Sequence, residues 1–225
     1  MENDGEDVVP HVHSAWCLLI STIVLAVTVI LTSSIRSVIR AKCSETLPTL
    51  CLLDLLCGLE LCMCGFELGV ILDIYDTPVY CVYLWIVLMW QGMSWAGSTP
   101  STHTHLVRYM SQCQSLYHTV TRSLAGATGA LLSYSAMSVV WQYDLSHYHD
   151  DREMVTAAGH CNDDLQVSVP AGVLIEMLGS TICFMTGSLL VDMPVTGDNP
   201  TLALSVDSIV GVGMVMAGFD LTGYL

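Results

Sequence analysis

Long apolar runs separated by short polar breaks govern this chain. Five of them, at 15–35, 47–72, 79–97, 124–141 and 167–191, reach or approach the roughly 20 residues a helix needs to cross the hydrocarbon of a bilayer. A sixth run, 202–221, is glycine-rich but long enough. The pattern predicts an all-α, multi-pass membrane protein, and composition agrees. Of 225 residues 53% are hydrophobic and 12% charged, with a mean hydropathy of +0.60, too apolar for a water-soluble domain of this length.

One break differs from the rest. In Trp90-Gln91-Gly92-Met93-Ser94-Trp95-Ala96-Gly97-Ser98-Thr99-Pro100-Ser101 a proline sits in a short polar segment directly after the third run. Lipid tolerates broken backbone only where protein or a water-filled cavity satisfies it, so Thr99, Pro100 and Ser101 imply a lined pore or pocket. Threonine suits an N-cap and proline the first helical position, which predicts a half-helix over 100–111. Its positive end would point at the midplane and disfavour cations and protons.

Charge sets the expected orientation. Arg36, Arg40 and Lys42 follow the first run, and Arg108 and Arg122 lie between the third and fourth, which places both connections on the cytoplasmic side; only Arg152 dissents. The acidic N-terminus and the acidic stretch 142–166 then face the other compartment. A formal charge of −15 repels phosphate backbones and argues against nucleic acid as a partner. The first run is preceded by acidic rather than basic residues, so it reads as a retained helix and not a secretory signal.

Candidate chemistry is carboxylate chemistry. Asp54, Glu60, Glu67 and Glu176 fall inside apolar runs, where an unpaired charge costs several kcal/mol. Glu67, near a run's end, is expected to reach the interface, whereas Asp54 and Glu176 lie deeper. They are read first as structural acids accepting hydrogen bonds from broken backbone, and second as a proton or ion relay. Seven of the ten cysteines lie in apolar runs and behave as small hydrophobes. Of the His-x-His pairs, only His147/His149, with His160 and Cys161, is placed to gather a metal, and solvated loop histidines are the expected state. No catalytic constellation, phosphate loop or cofactor motif occurs, so neither an enzyme nor a cofactor is expected.

The stretch Asp54-Leu55-Leu56-Cys57-Gly58-Leu59-Glu60-Leu61-Cys62-Met63-Cys64-Gly65-Phe66-Glu67-Leu68 resembles the first core helix of the divergent intracellular aquaporins, the superaquaporin branch that includes aquaporins eleven and twelve. Gln91-Gly92 and Thr99-Pro100-Ser101 resemble that family's second helix and first Asn-Pro-Ala box. Ile175-Glu176-Met177-Leu178-Gly179-Ser180 resembles the helix carrying its second buried Glu. The resemblance implies an inverted-repeat helical bundle. Residues 1–46 would hold the acidic N-terminus and an extra N-terminal helix, 47–141 a first repeat, and 167–225 a partial second one. It further implies a tetramer in an endoplasmic-reticulum or other intracellular membrane, in contact with lipid.

Inverted repeats make a testable spacing. Asp54 precedes Pro100 by 46 residues, which puts the matching proline of the second repeat near position 222, where none occurs. The sequence therefore reads as ending just short of its second box, with 219–225 as the approach to it. Asn199-Pro200 lies only 24 residues after Glu176 and is expected to be a loop. Thr99 and Ser101 depart from the family's Asn and Ala; a register two residues later, at Ser101-Thr102-His103, is the alternative, and Pro100 supports the first. The expected function is passive passage of water or small neutral solutes such as glycerol or hydrogen peroxide. The alternatives are a non-conducting truncated form that associates with full-length channel subunits, or a transporter using Asp54 or Glu176 as a proton relay. A single half-helix lines one side of a constriction, so little water flux is expected from such a chain by itself.

Overall fold

A computed structural model of the chain describes residues 8–143, 145–146, 148–149, 166–192 and 199–222, with side chains at 8–14 and 191–192 excepted. The described residues form seven helices: α1 (Val8–Lys42), α2 (Leu47–Ile74), α3 (Thr77–Ser94), α4 (Thr102–Met110), α5 (Leu116–Trp141), α6 (Val169–Asp192) and α7 (Pro200–Thr222). Five of these, α1 from Ala15 onward with α2, α5, α6 and α7, are long and apolar enough to cross a bilayer. The protein is all-α, with the composition of a multi-pass membrane protein. The third expected run, 79–97, forms α3, an 18-residue helix outside that set, because its Trp, Tyr and Gln residues dilute it.

The chain divides into two compact units, Met1–Tyr80 with Ser94–Gly159 and Cys81–Met93 with His160–Leu225. In the first, α1 packs on α2, α2 on α5 and α4 on α5. The residues of α1 explain its seat. Cys17, Ser21, Leu25, Thr28, Thr32 and Arg36 recur at helical spacing and are buried, while Trp16, Leu19, Ile23, Val27, Ile30 and Leu31 are exposed. Polar groups thus point inward and apolar ones outward, the inverse of a water-soluble helix, which is what lipid as solvent requires.

The α2–α5 contact depends on missing side chains. A Cβ at Gly58 would overlap the Gly126 carbonyl, and one at Gly129 would overlap the Leu55 carbonyl. Phe66 completes the packing, edge-on to Trp141 at 5.8 Å and to Tyr134 at 6.3 Å.

In the second unit α6 packs against α7, and Leu204 of α7 fills the space beside Gly92 of α3. Gly213 and Gly218 face open space, since a Cβ placed on either would meet no atom of another element within 4 Å. Asn199-Pro200 is a helix start rather than a loop: the Leu202 N–H donates to Asn199 Oδ1 at 3.2 Å and Pro200 takes a first-turn position, where its missing N–H costs nothing. Phe219 to Thr222 form the last turn of α7. Glu176, expected inside the bundle, is exposed on α6, because α7 is the helix that packs on α6 within its unit and it brings no cation there.

Candidate functional site: a helix break held by a buried ion pair

The break is built where α3 runs out. The chain reverses through Ala96 (φ 45°) and Gly97 (φ 84°), and the Ser98 N–H donates back to the Trp95 carbonyl at 3.1 Å. Gly97 meets the left-handed conformation without penalty, whereas Ala96 adopts it against its own Cβ. The chain then runs through Thr99, Pro100 and Ser101 into α4. That helix starts at Thr102 with Ser101 as its N-cap, two residues later than Pro100, in the shifted register. The Thr99 hydroxyl accepts the Ser101 N–H at 3.1 Å, and Ser101 Oγ lies 2.8 Å from His103 Nδ1.

Asp54 of α2 holds this segment. It is fully buried; Oδ1 accepts the Thr99 N–H at 2.9 Å, while Arg122 of α5 donates to both oxygens, Nε to Oδ2 at 2.6 Å and Nη2 to Oδ1 at 3.0 Å. His105, also fully buried, donates through Nε2 to the Thr99 carbonyl at 3.1 Å and stands 3.7 Å from Asp54 Oδ2. Both polar groups of the Thr99 peptide unit are thereby satisfied inside protein. Such a pair offsets its own desolvation only while both partners are present; removing one costs about 3–5 kcal/mol.

The far side of the segment is equally tight. A Cβ on Gly126 would sit 2.9 Å from Pro100 Cα and carbonyl oxygen, so the break lies directly on α5. The next corner is closed by a helix stop: Gln112 takes φ 58°, Cys113 N–H reaches Arg108 O at 2.8 Å and Gln112 N–H reaches Tyr109 O at 2.9 Å. Gln114 then ties α4 to α5, donating to His105 O at 2.9 Å and to Thr119 Oγ1 at 2.8 Å.

Two further buried acids have partners. Glu60, at the middle of α2, pairs with Arg36 of α1, accepts the Thr32 hydroxyl at 2.5 Å and is approached by Trp95 Nε1 at 3.4 Å. Glu67 does not reach an interface: it is fully buried and lies 3.0 Å from His149 Nε2, whose Nδ1 meets Ser146 Oγ at 2.6 Å. His149 is thus neither solvated nor available as a metal ligand. His147, His160 and Cys161 lie outside the described residues, and among those described no group of three metal-ligating side chains assembles.

The sequence missed the cations of these pairs. Arg36 and Arg122 belong to buried ion pairs rather than to loops, so they do not report which side of the membrane a connection occupies. The available signal was stoichiometric, since each acid inside an apolar run requires a partner and both arginines lie within two residues of a run. Glu176 lies exposed on α6 of the second unit, and Asp54 is buried in the first. Asp207 of α7, which the pattern did not single out, is half-buried against Gly187, where a Cβ would stand 3.2 Å from its Oδ1.

Over 166 residues the chain is 24% identical to aquaporin-11 of Milnesium tardigradum, a match that covers 74% of this chain and 60% of that protein. The chain thus matches less than two thirds of the relative's length. No protein-family model matches the sequence. No solved structure matches it. The chain is thus similar to an aquaporin over most of its own length, and five of its described helices have membrane-spanning length and composition.

Proposed function

We propose that this chain is a subunit of a passive channel for water or small neutral solutes such as glycerol or hydrogen peroxide. Thr99, Pro100 and Ser101 line its path, and it works as a homo-oligomer in an intracellular membrane. The observation that carries this reading is the break between α3 and α4, whose Thr99 N–H and carbonyl are satisfied by Asp54 and His105 instead of by helix continuation, with Arg122 holding Asp54 in place. Solute would move past the free edge of that segment by exchanging hydrogen bonds, with no covalent step and no cofactor. The α4 N-terminus carries the positive end of a helix dipole, which works against cations.

Stopped-flow light scattering on proteoliposomes tests this. Flux is expected to be small, because one re-entrant helix lines one side of a path. It should nevertheless exceed that of empty vesicles, rise linearly with the gradient, ignore pH and vanish in Asp54→Ala. Saturable, pH-dependent uptake would replace the channel by a proton-coupled transporter. One observation favours a second reading, a non-conducting subunit that associates with complete channel subunits: α6 and α7 run unbroken, without a second re-entrant segment among the described residues. Flux equal to that of empty vesicles would decide for it.

A further inference from the structure

Asp54 of α2 and Gly126 of α5 hold the downstream half of the break, at Thr99 and beyond. The upstream half, Ser94 to Ser98, receives most of its contacts from α1, beside Glu60 of α2 at Trp95 and an Arg108 Nη2 bond from α4 to the Gly97 carbonyl at 3.2 Å. Arg40 Nη2 donates to the Trp95 carbonyl and to Ser98 Oγ at 3.2 Å, and Nη1 approaches the Ser94 carbonyl at 3.4 Å. One turn earlier, Arg36 donates from Nη2 to Ser94 Oγ at 3.2 Å while Nη1 is engaged by Glu60. Trp95 Nε1 returns to the other oxygen of the same Glu60 at 3.4 Å.

These are the groups the end of a helix leaves without partners. The last carbonyls of α3 have no intrahelical donor, and the negative end of its dipole favours a cation there. Arg36 and Arg40, spaced i and i+4, share one face of α1, so a single helix delivers both guanidinium groups to the same turn. Burial fixes the geometry further: Arg36 and Glu60 are completely buried, and Thr32 fixes the Glu60 oxygen that Arg36 uses.

We propose that α1 is a built-in brace for the re-entrant segment, in which Arg36 and Arg40 are positioning residues that set where the Ser94–Ser98 side of the solute path stands. The inference rests on the channel reading for its functional consequence, but the brace itself is a structural statement that can fail separately. Its consequence is a division of labour. Asp54 and Arg122 fix the helix-starting side of the break, α1 fixes the helix-ending side, and the width between them depends on both.

The test uses the full chain in liposomes, with its own cysteines replaced and spin labels at Leu52→Cys on α2 and Thr102→Cys at the start of α4, both exposed positions. Arg40→Gln removes the donor to the carbonyls. Arg36→Met with Glu60→Met removes the other half without stranding a buried charge, and so keeps the fold. A narrow label-to-label distance is expected in the parent, with displaced conformers rising roughly tenfold in each variant, the ratio one charge-assisted hydrogen bond supports. Arg40→Lys should restore much of the parent distribution, and the glycerol-to-water permeability ratio should move with it. Unchanged distances in both variants would overturn the brace. Altered distances with an unchanged permeability ratio would leave the brace standing and remove the break from the solute path.

Discussion

In the first unit three carboxylates of α2 each meet a positive or titratable partner: Asp54 meets Arg122, Glu60 meets Arg36 and Glu67 meets His149. In the second, Glu176 of α6 is exposed and Asp207 of α7 is half-buried, and the described part of that unit contains no Lys or Arg at all. The helices of both units are similarly apolar by composition, yet among the described residues the buried ion pairs lie in the first. Hydropathy reports which surface lipid covers; charge pairing reports where backbone can leave the helix. The break follows the second signal: it occurs where α2 supplies acceptors and α1 and α5 supply donors.

The widest gap between the units should appear on deleting one acid from each. Asp54→Ala strands Arg122 and is expected to cost about 3–5 kcal/mol, lowering the thermal midpoint in detergent by many degrees. Glu176→Ala should stay within about 0.5 kcal/mol. Restoring apolar complementarity sharpens the comparison, since Asp54→Leu with Arg122→Met should recover most of the stability while abolishing any flux. An equal cost for the two single variants would break the distinction.

Glycine substitution gives the next effect. Gly126→Val drives a side chain into Pro100 and should cost about 1–3 kcal/mol or more, whereas Gly213→Ala, facing open space, should be neutral or slightly stabilising through helix propensity. Glu67→Gln weakens a charge-assisted bond to His149, for about 1–2 kcal/mol by the same melting assay. Smallest is Ala96→Gly, expected to stabilise by about 1 kcal/mol because the left-handed backbone at that position penalises any Cβ. A destabilising result there would mean that the methyl group's packing outweighs the strain.

Much of this was legible in the chain. Run lengths predicted α2, α6 and α7 closely, and the polar segment at Thr99 to Ser101 marked the place where helix α3 gives way to α4. What escaped had one physical cause. A hydropathy window scores Arg36 and Arg122 as the ends of apolar runs, so the first and fourth runs were cut at 35 and 124, although α1 continues to Lys42 and α5 begins at Leu116. Inside a bundle a charge is tolerated when its partner arrives from another helix, which no local window can see. The same blindness assigned Glu67 to an interface and left His149 in solvent. Glu176 failed in the other direction, since a deep position in an apolar run says nothing about which side of its helix faces protein.

The decisive measurement is the accessibility and depth of Ser101. A single cysteine at that position, in a chain otherwise free of cysteine and reconstituted in liposomes, is exposed to a small water-soluble thiol reagent while lipid-borne nitroxides quench a fluorophore attached there. A break held inside the membrane beside a hydrated path predicts rapid modification together with quenching by mid-bilayer probes, and loss of that combination in Asp54→Ala. A cysteine that is unreactive, or that reacts but is quenched only by probes at the membrane surface, would show that the segment between α3 and α4 is an ordinary connection and not a re-entrant one.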